Sequence, residues 1–316
     1  MYIPVRIARL RNLYHIVTVG LGATVAMLLF TSCFTGIEST PKIKLSRQDM
    51  EETVRESEEQ KLLASVRPSS ASEWQPGREF VILDAKAARI FDIQSAPSPG
   101  NILHFKGISR RMSPDGRQNV ILQFTDDDGT VYSHLTGRDS PDEIMSDRLP
   151  MLADKVMIDS LDALLRQRNV WIITDLWLTE GDKPLKGRKY IPVTVTAVRA
   201  GSESLPYRVC FKAEGLPAAS VLMTGSGATA SSRPFQSLFS LSDPHIRHKN
   251  ISDENWEYIQ RGQVKAGMTK KECRLALGSP ADTDSGHDYS STKDLWLYPD
   301  GRWLRFEDGL LIDFRK

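Results

Sequence analysis

The chain reads as an α+β protein, mainly β, with two small β-barrel-like modules followed by a C-terminal domain of two helices and a three-stranded sheet. Three observations predict this. Residues 75–245 are dense in short apolar runs broken by turn dipeptides, and two of those runs recur in the same order. Residues 254–277 carry two successive helical patterns. Three aromatic strand-like runs then close the chain, separated by Asp300-Gly301 and Asp308-Gly309. Such dipeptides suit tight hairpins because Asp and Gly tolerate positive φ.

Residues 1–33 have the form of an export signal. Arg6, Arg9 and Arg11 precede an uncharged apolar run, Ile16 to Phe30, of about 15 residues, short of the roughly 20 a transmembrane helix needs. The run ends at Phe30-Thr31-Ser32-Cys33, a pattern resembling a bacterial lipobox in which Cys33 becomes the acylated N-terminus. Acyl chains on Cys33 would hold the protein to a bilayer, since each buried methylene contributes ~0.8 kcal/mol. The lipobox resemblance implies a lipid anchor in the outer membrane, periplasm-facing or surface-exposed. An uncleaved signal anchor is the alternative.

The chain has 41 Lys and Arg against 40 Asp and Glu. Loss of the three signal arginines leaves 38 against 40, so bulk charge gives no reason to expect a nucleic-acid partner. Residues 34–74 read as a tether. Its acidic helix runs from Ser46, the N-cap, to Val66, and Pro68-Ser69-Ser70 breaks it.

The first β module is placed at 75–140, a helical connector at 141–168 and the second module at 169–245. Arg78 to Asp84 lines up with Asn169 to Asp175, and Val120 to Phe124 with Tyr207 to Phe211, at offsets of 91 and 87 residues. In the connector, Met157, Leu161, Leu164 and Leu165 share one helical side. Pro192 within a strand run argues for an edge position, because proline offers no ladder donor. The run from Met223 to Ser232 reads as a plain loop, lacking the Lys and Gly spacing of a phosphate-binding loop.

The C-terminal domain spans 250–316. Ser252 and Asp253 precede the first helix, which places Trp256, Ile259 and Val264 on one side. Thr269 is the expected N-cap of the second, with Glu272 completing a capping box. Gly278 occupies the expected left-handed C-cap and Pro280 stops continuation. The strands are Leu295 to Tyr298, Trp303 to Phe306 and Leu310 to Phe314, while Asp282 to Lys293 reads as an exposed polar loop.

This order, carried by Gly267-Met268-Thr269, Gly278-Ser279-Pro280, Trp296, Tyr298 and Phe306 to Leu310 with Gly309, resembles the SmpA/OmlA (BamE-like) family of envelope lipoproteins over about a fifth of the chain. The resemblance implies a small domain of the outer-membrane barrel-assembly setting, with Gly267, Met268, Thr269, Gly278, Pro280, Trp296, Tyr298 and Gly309 as structural positions. The layout is also similar to repeats of the β-lactamase inhibitor proteins, so the fold alone does not select a function.

Candidate chemistry is sparse. His245 and His248 form an HxxH without a carboxylate or cysteine at ligand spacing. Asp282, Asp284 and Asp288 resemble the start of a calcium loop, but its twelfth position is Lys293. Cys210 and Cys273 either pair in an oxidising compartment or stay as separate buried thiols. No catalytic, cofactor or metal residue is assigned. The expected function is a non-catalytic envelope lipoprotein that binds a protein partner in outer-membrane assembly or maintenance. A small-ligand or glycan binder, or an enzyme, with its site between the β modules is the alternative, and an enzyme inhibitor is a further one.

Overall fold

The computed structural model describes residues 57–91, 98–113, 116–225, 233–287 and 291–315. The signal, Cys33 and the expected helix start at Ser46 lie outside them, as does most of the loop at 223–232. Three antiparallel sheets and six α-helices form the described part, an α+β arrangement that is mainly β.

The stretch expected to be a solvated tether folds onto the protein at its C-terminal end. Helix α1 (Glu58–Leu63) is capped by Ser57, with Gln60 completing the box. Leu62, Leu63 and Val66 pack into the core of the second module, and the buried Glu59 carboxylate accepts the Leu241 N–H at 2.9 Å. Ala71 and Trp74 join the first core instead.

The first sheet comprises β1 (Glu79–Ile82), β2 (Ile102–Met112), β3 (Gln118–Thr125), β4 (Val131–Leu135) and β5 (Leu152–Asp154), in the order β4-β3-β2-β1-β5. Period-two alternation buries Phe80 and Ile82, Leu103 and Phe105, and Val120, Leu122 and Phe124 on one face. Trp74 lies 5.0 Å from the Phe80 ring and 5.4 Å from Phe105. Arg78 and Asp154 lock the two ends of this module. The guanidinium donates to both carboxylate oxygens, at 3.2 and 2.5 Å, and Asp154 is fully buried.

The expected barrels do not form. Among the described residues no sheet closes on itself, and β4 bonds only to β3. Short 3-10 turns at Ala71–Glu73, Ala85–Arg89 and Pro141–Glu143 are arrayed around the first core, to which Ala71, Trp74, Ala87 and Phe91 contribute. Apolar area is therefore removed from water without the edge strands meeting.

The second sheet contains β6 (Asn169–Ile172), β7 (Leu176–Leu178), β8 (Pro184–Lys186), β9 (Ile191–Ala200), β10 (Tyr207–Lys212), β11 (Ala219–Met223) and β12 (Phe239–Ser240), in the order β12-β6-β9-β10-β11-β7-β8. With the β7–β8 hairpin set aside, its order matches that of the first sheet strand for strand. The two aligned sequence segments fall on β1 and β6, and on β3 and β10. The long strands β2 and β9 each meet the next strand through a register shift.

Pro192 does not lie on an edge strand, since β9 sits between β6 and β10. Pairing with β10 reaches only to Thr194, so at Pro192 the strand has β6 alone as neighbour and the missing donor is tolerated there. Residues 141–168 are not helical throughout: two 3-10 turns and β5 come first. Helix α2 (Lys155–Leu165) starts where the Asp154 carboxylate accepts the Val156 N–H. It buries Met157, Ile158, Leu161 and Leu165 against the second sheet.

Two short helices, α3 (Phe235–Leu238) and α4 (Pro244–Arg247), lead to the C-terminal domain. That domain holds α5 (Asp253–Gln260), α6 (Lys270–Leu277) and the strands β13 (Asp282–His287), β14 (Thr292–Leu297), β15 (Trp303–Glu307) and β16 (Leu310–Arg315), in sheet order β13-β14-β15-β16. Lys189 fixes it to the second module. The Lys189 ammonium donates to the Leu275 and Ala276 carbonyls at the C-terminus of α6, where the helix dipole favours a cation. Its backbone N–H reaches the Gln260 carbonyl at 2.9 Å. The His245 ring packs 4.1 Å from Trp256 and 5.2 Å from Trp171, so it joins the same seam.

Candidate docking surface on the C-terminal sheet

Local hydrogen bonding builds this domain from its chain signals. Ser252 caps α5, accepting the Asn255 N–H. Val264, expected on that helix, lies beyond its end but is still buried. Thr269 caps α6 and Glu272 returns the bond, so two orphan donors at the helix start are satisfied. Glu272 also accepts from the Asn255 amide at 2.6 Å, tying α5 to α6. Burial pushes the Glu272 carboxyl up, but the Thr269 backbone, the Asn255 and Thr269 side chains and Lys265 together outweigh this. The result is a lowered pKa.

Gly278 ends α6 at φ 85°, ψ −174°. This is positive φ, as expected, but extended in ψ rather than left-handed helical, a region that is essentially glycine's alone. Pro280 follows in the link to β13. The Tyr298 hydroxyl donates to the Gly278 carbonyl at 3.2 Å, and burial, with Cys273 next in effect, pushes its pKa up to about 12.

Gly267 donates to the Leu311 carbonyl at 2.7 Å, and Leu311 returns a bond to Met268. With the Thr269–Leu310 bridge, this segment covers part of the β16 edge. Met268 is fully buried, as are Cys273, Ala276, Leu304, Phe306 and Leu311, and Trp296 is nearly so. Asp308 and Gly309 both have positive φ at the β15–β16 turn, the pattern of a type I′ hairpin.

The sheet has four strands, not three. Asp282 to His287, expected as the start of a polar loop, pairs with β14 along its whole length. Its Asp-Thr-Asp-Ser-Gly composition hid it, because every residue from Asp282 to Gly286 is exposed and no apolar alternation marks a buried face.

The helices cover one face of this sheet only. Leu297, Leu310 and Ile312 are 39%, 47% and 44% exposed, with half-buried Leu295 and Trp303 beside Leu297. Among the described residues β13 bonds to β14 alone, so its outer side is an unpaired edge bearing exposed Asp282 and Asp284. A free edge of this kind accepts a further strand.

Other candidate groups stay apart. His245 Nδ1 lies 2.7 Å from Asp243, and His248 does not join it at a shared ligand point. Among the described residues no three His, Cys, Asp or Glu side chains cluster as metal ligands. Cys210 and Cys273 are free thiols. Burial raises both, Cys273 up to about 12, which leaves them protonated and poorly nucleophilic at neutral pH. A cleft of about 750 Å³ does lie between the first two sheets, with Ile82 and Gly100 facing Arg199, Arg208 and Ser220. Arg208 is already engaged there by Asp182 at 2.5 Å and by the Ser220 hydroxyl at 3.1 Å.

No protein-family model, curated protein or solved structure matches the chain. Among the described residues no helix is long and apolar enough to cross a membrane.

Proposed function

We propose that this is a bacterial lipoprotein, anchored in the outer membrane through acylated Cys33, that acts without catalysis as a protein-binding or scaffold component in outer-membrane assembly or maintenance. Its C-terminal domain is assigned to the SmpA/OmlA (BamE-like) type on the motif order in the sequence. One observation supports the binding role most directly: among the described residues nothing covers the outer face of the four-stranded sheet or its β13 edge. The partner adds a strand along β13, and Lys or Arg on that strand complements Asp282 and Asp284.

Photo-crosslinkers placed at Thr283 and Leu297 of the full chain, in native membranes, test this. The expected result is one discrete envelope-protein adduct from both positions, lost when Ser285→Pro removes an outward-facing N–H of β13 and blocks strand addition, and no such adduct from Arg274 on α6. Equal adducts from the helix face, or persistence in the proline variant, would reject the docking mode. Loss of acyl labelling in Cys33→Ala tests the anchor separately, and unchanged membrane retention of that variant would indicate a signal anchor instead.

A further inference from the structure

A second cleft, of about 460 Å³, opens in the second module where α1 and α2 approach β10, β11 and α3. That volume lies within the usual range of small-molecule sites. Leu63, Val66, Met157, Leu161, Met223 and Phe235 supply its apolar wall. Five polar side chains share the lining: Gln60 and Arg67 are exposed and Gln236 is half-buried, while Tyr207 and Thr224 have buried hydroxyls. Tyr207 is only 1% exposed, yet among the described residues its hydroxyl has no hydrogen-bond partner, and neither has the buried Thr224 hydroxyl.

Two orphan hydroxyls in one apolar cleft are costly, because each forfeits its bonds to water and gains none in return. Tyrosine is retained in a buried site when its hydroxyl has something to reach. The surroundings also indicate the charge of what it reaches. Burial, then the charges of Asp147 and Asp154, raises the Tyr207 phenol above its ordinary range. The Asp147 carboxylate comes close enough to Gly225 that a Cβ there would lie 3.1 Å from it. Negative charge beside the Tyr207 hydroxyl disfavours an anionic head group there, while the Arg67 guanidinium sits at the exposed part of the lining with its Nε–H donated to the Ala64 carbonyl at 2.9 Å.

We infer that this cleft binds a small uncharged amphipathic molecule of the acylglycerol class, its hydroxyl or ester head bonded to Tyr207 and Thr224 and its alkyl chain lying against Leu63, Met157 and Phe235. At roughly 30 Å³ per heavy atom, the volume a liquid gives a water, the cleft holds about 15 such atoms. This matches an eight-carbon acyl chain on glycerol. The inference does not depend on the docking face, which lies in another domain.

The test uses the full chain in lipid nanodiscs, a diazirine derivative of 1-octanoylglycerol, and peptide mapping by mass spectrometry. Saturable labelling of the Met157, Met223 or Phe235 peptides, competed by unlabelled 1-octanoylglycerol and much less by octanoate, is the expected result. Tyr207→Phe should raise the half-saturating concentration about fivefold, the effect of one lost hydrogen bond. It should leave the thermal midpoint of the ligand-free protein unchanged or higher, because an unsatisfied hydroxyl has been removed. Thr224→Val, close to Thr in shape, provides an independent second variant with the same expected signs. Labelling that spares these peptides, or is identical in both variants, overturns the inference and leaves the hydroxyls to ordinary water. So does octanoate competing as well as the neutral ligand.

Discussion

Replacing Asp154 should unfold the first module at much lower denaturant, and the structure fixes the size of the effect. Its carboxylate is fully buried and takes both bonds of the Arg78 guanidinium. It also caps α2 through Val156. Removing one partner of a buried pair typically costs about 3–5 kcal/mol, because the other charge is left uncompensated. Here the Arg78 side chain remains 16% exposed and lies 5.6 Å over the Trp74 ring. Some solvation and cation–π attraction survive, which places the cost near the lower end, about 3 kcal/mol.

Loss of the cap adds ~1 kcal/mol, so Asp154→Ala should lose about 4 kcal/mol in total. Asp154→Asn keeps a good N-cap and should lose only the charge part, about 3 kcal/mol. Arg78→Met strands the carboxylate instead, and the Arg78→Met/Asp154→Asn double variant should lose clearly less than the sum of the two single changes. Urea denaturation with hydrogen exchange read at β1 and β5 measures all four. If Asp154→Asn stays within about 1 kcal/mol of the parent, or the cycle shows no coupling, the pair is not the lock described here.

Gly278→Val forces a β-branched residue to φ 85°, ψ −174° in open space, where no side-chain collision contributes. Backbone strain alone should cost about 1–3 kcal/mol in the C-terminal domain, and unchanged denaturation would contradict the assigned geometry. Gly187→Ala places a Cβ inside the indole of buried Trp177. A loss of about 1–3 kcal/mol is expected, with the Trp177 fluorescence environment altered. Glu272 has a lowered pKa in the folded state. Its contribution is therefore present above the ordinary carboxylate pKa and fades as pH falls through the depressed value. Glu272→Gln should be less stable than the parent at pH 7, and the gap should narrow towards pH 3. A gap that widens in acid would reverse the sign of the argument.

The sequence alone determined the features that close over a few residues. Ser252, the Thr269–Glu272 box, the positive φ at Gly278 and the Asp308-Gly309 turn each satisfy donors or backbone angles within a turn of chain. Their chemistry is therefore written locally. The α+β, mainly β class followed from the same apolar periodicities, and the paired segments on β1/β6 and β3/β10 fell on equivalent strands. Tertiary structure decided what depends on distant partners. Arg78 meets Asp154 across 76 residues, Lys189 caps α6 across 87, and Glu59 serves Leu241 across 182. No local pattern encodes such meetings.

The same reason explains the corrections. An all-polar segment becomes strand β13 only because β14 offers it a ladder. Where closing edges would seal a barrel, 3-10 turns and rings cover the core of the first module and helix α2 covers that of the second. The candidate sites follow suit. Which sheet face the helices leave bare, and which hydroxyls fold away from both water and protein, are outcomes of packing, settled only when distant surfaces compete to be buried.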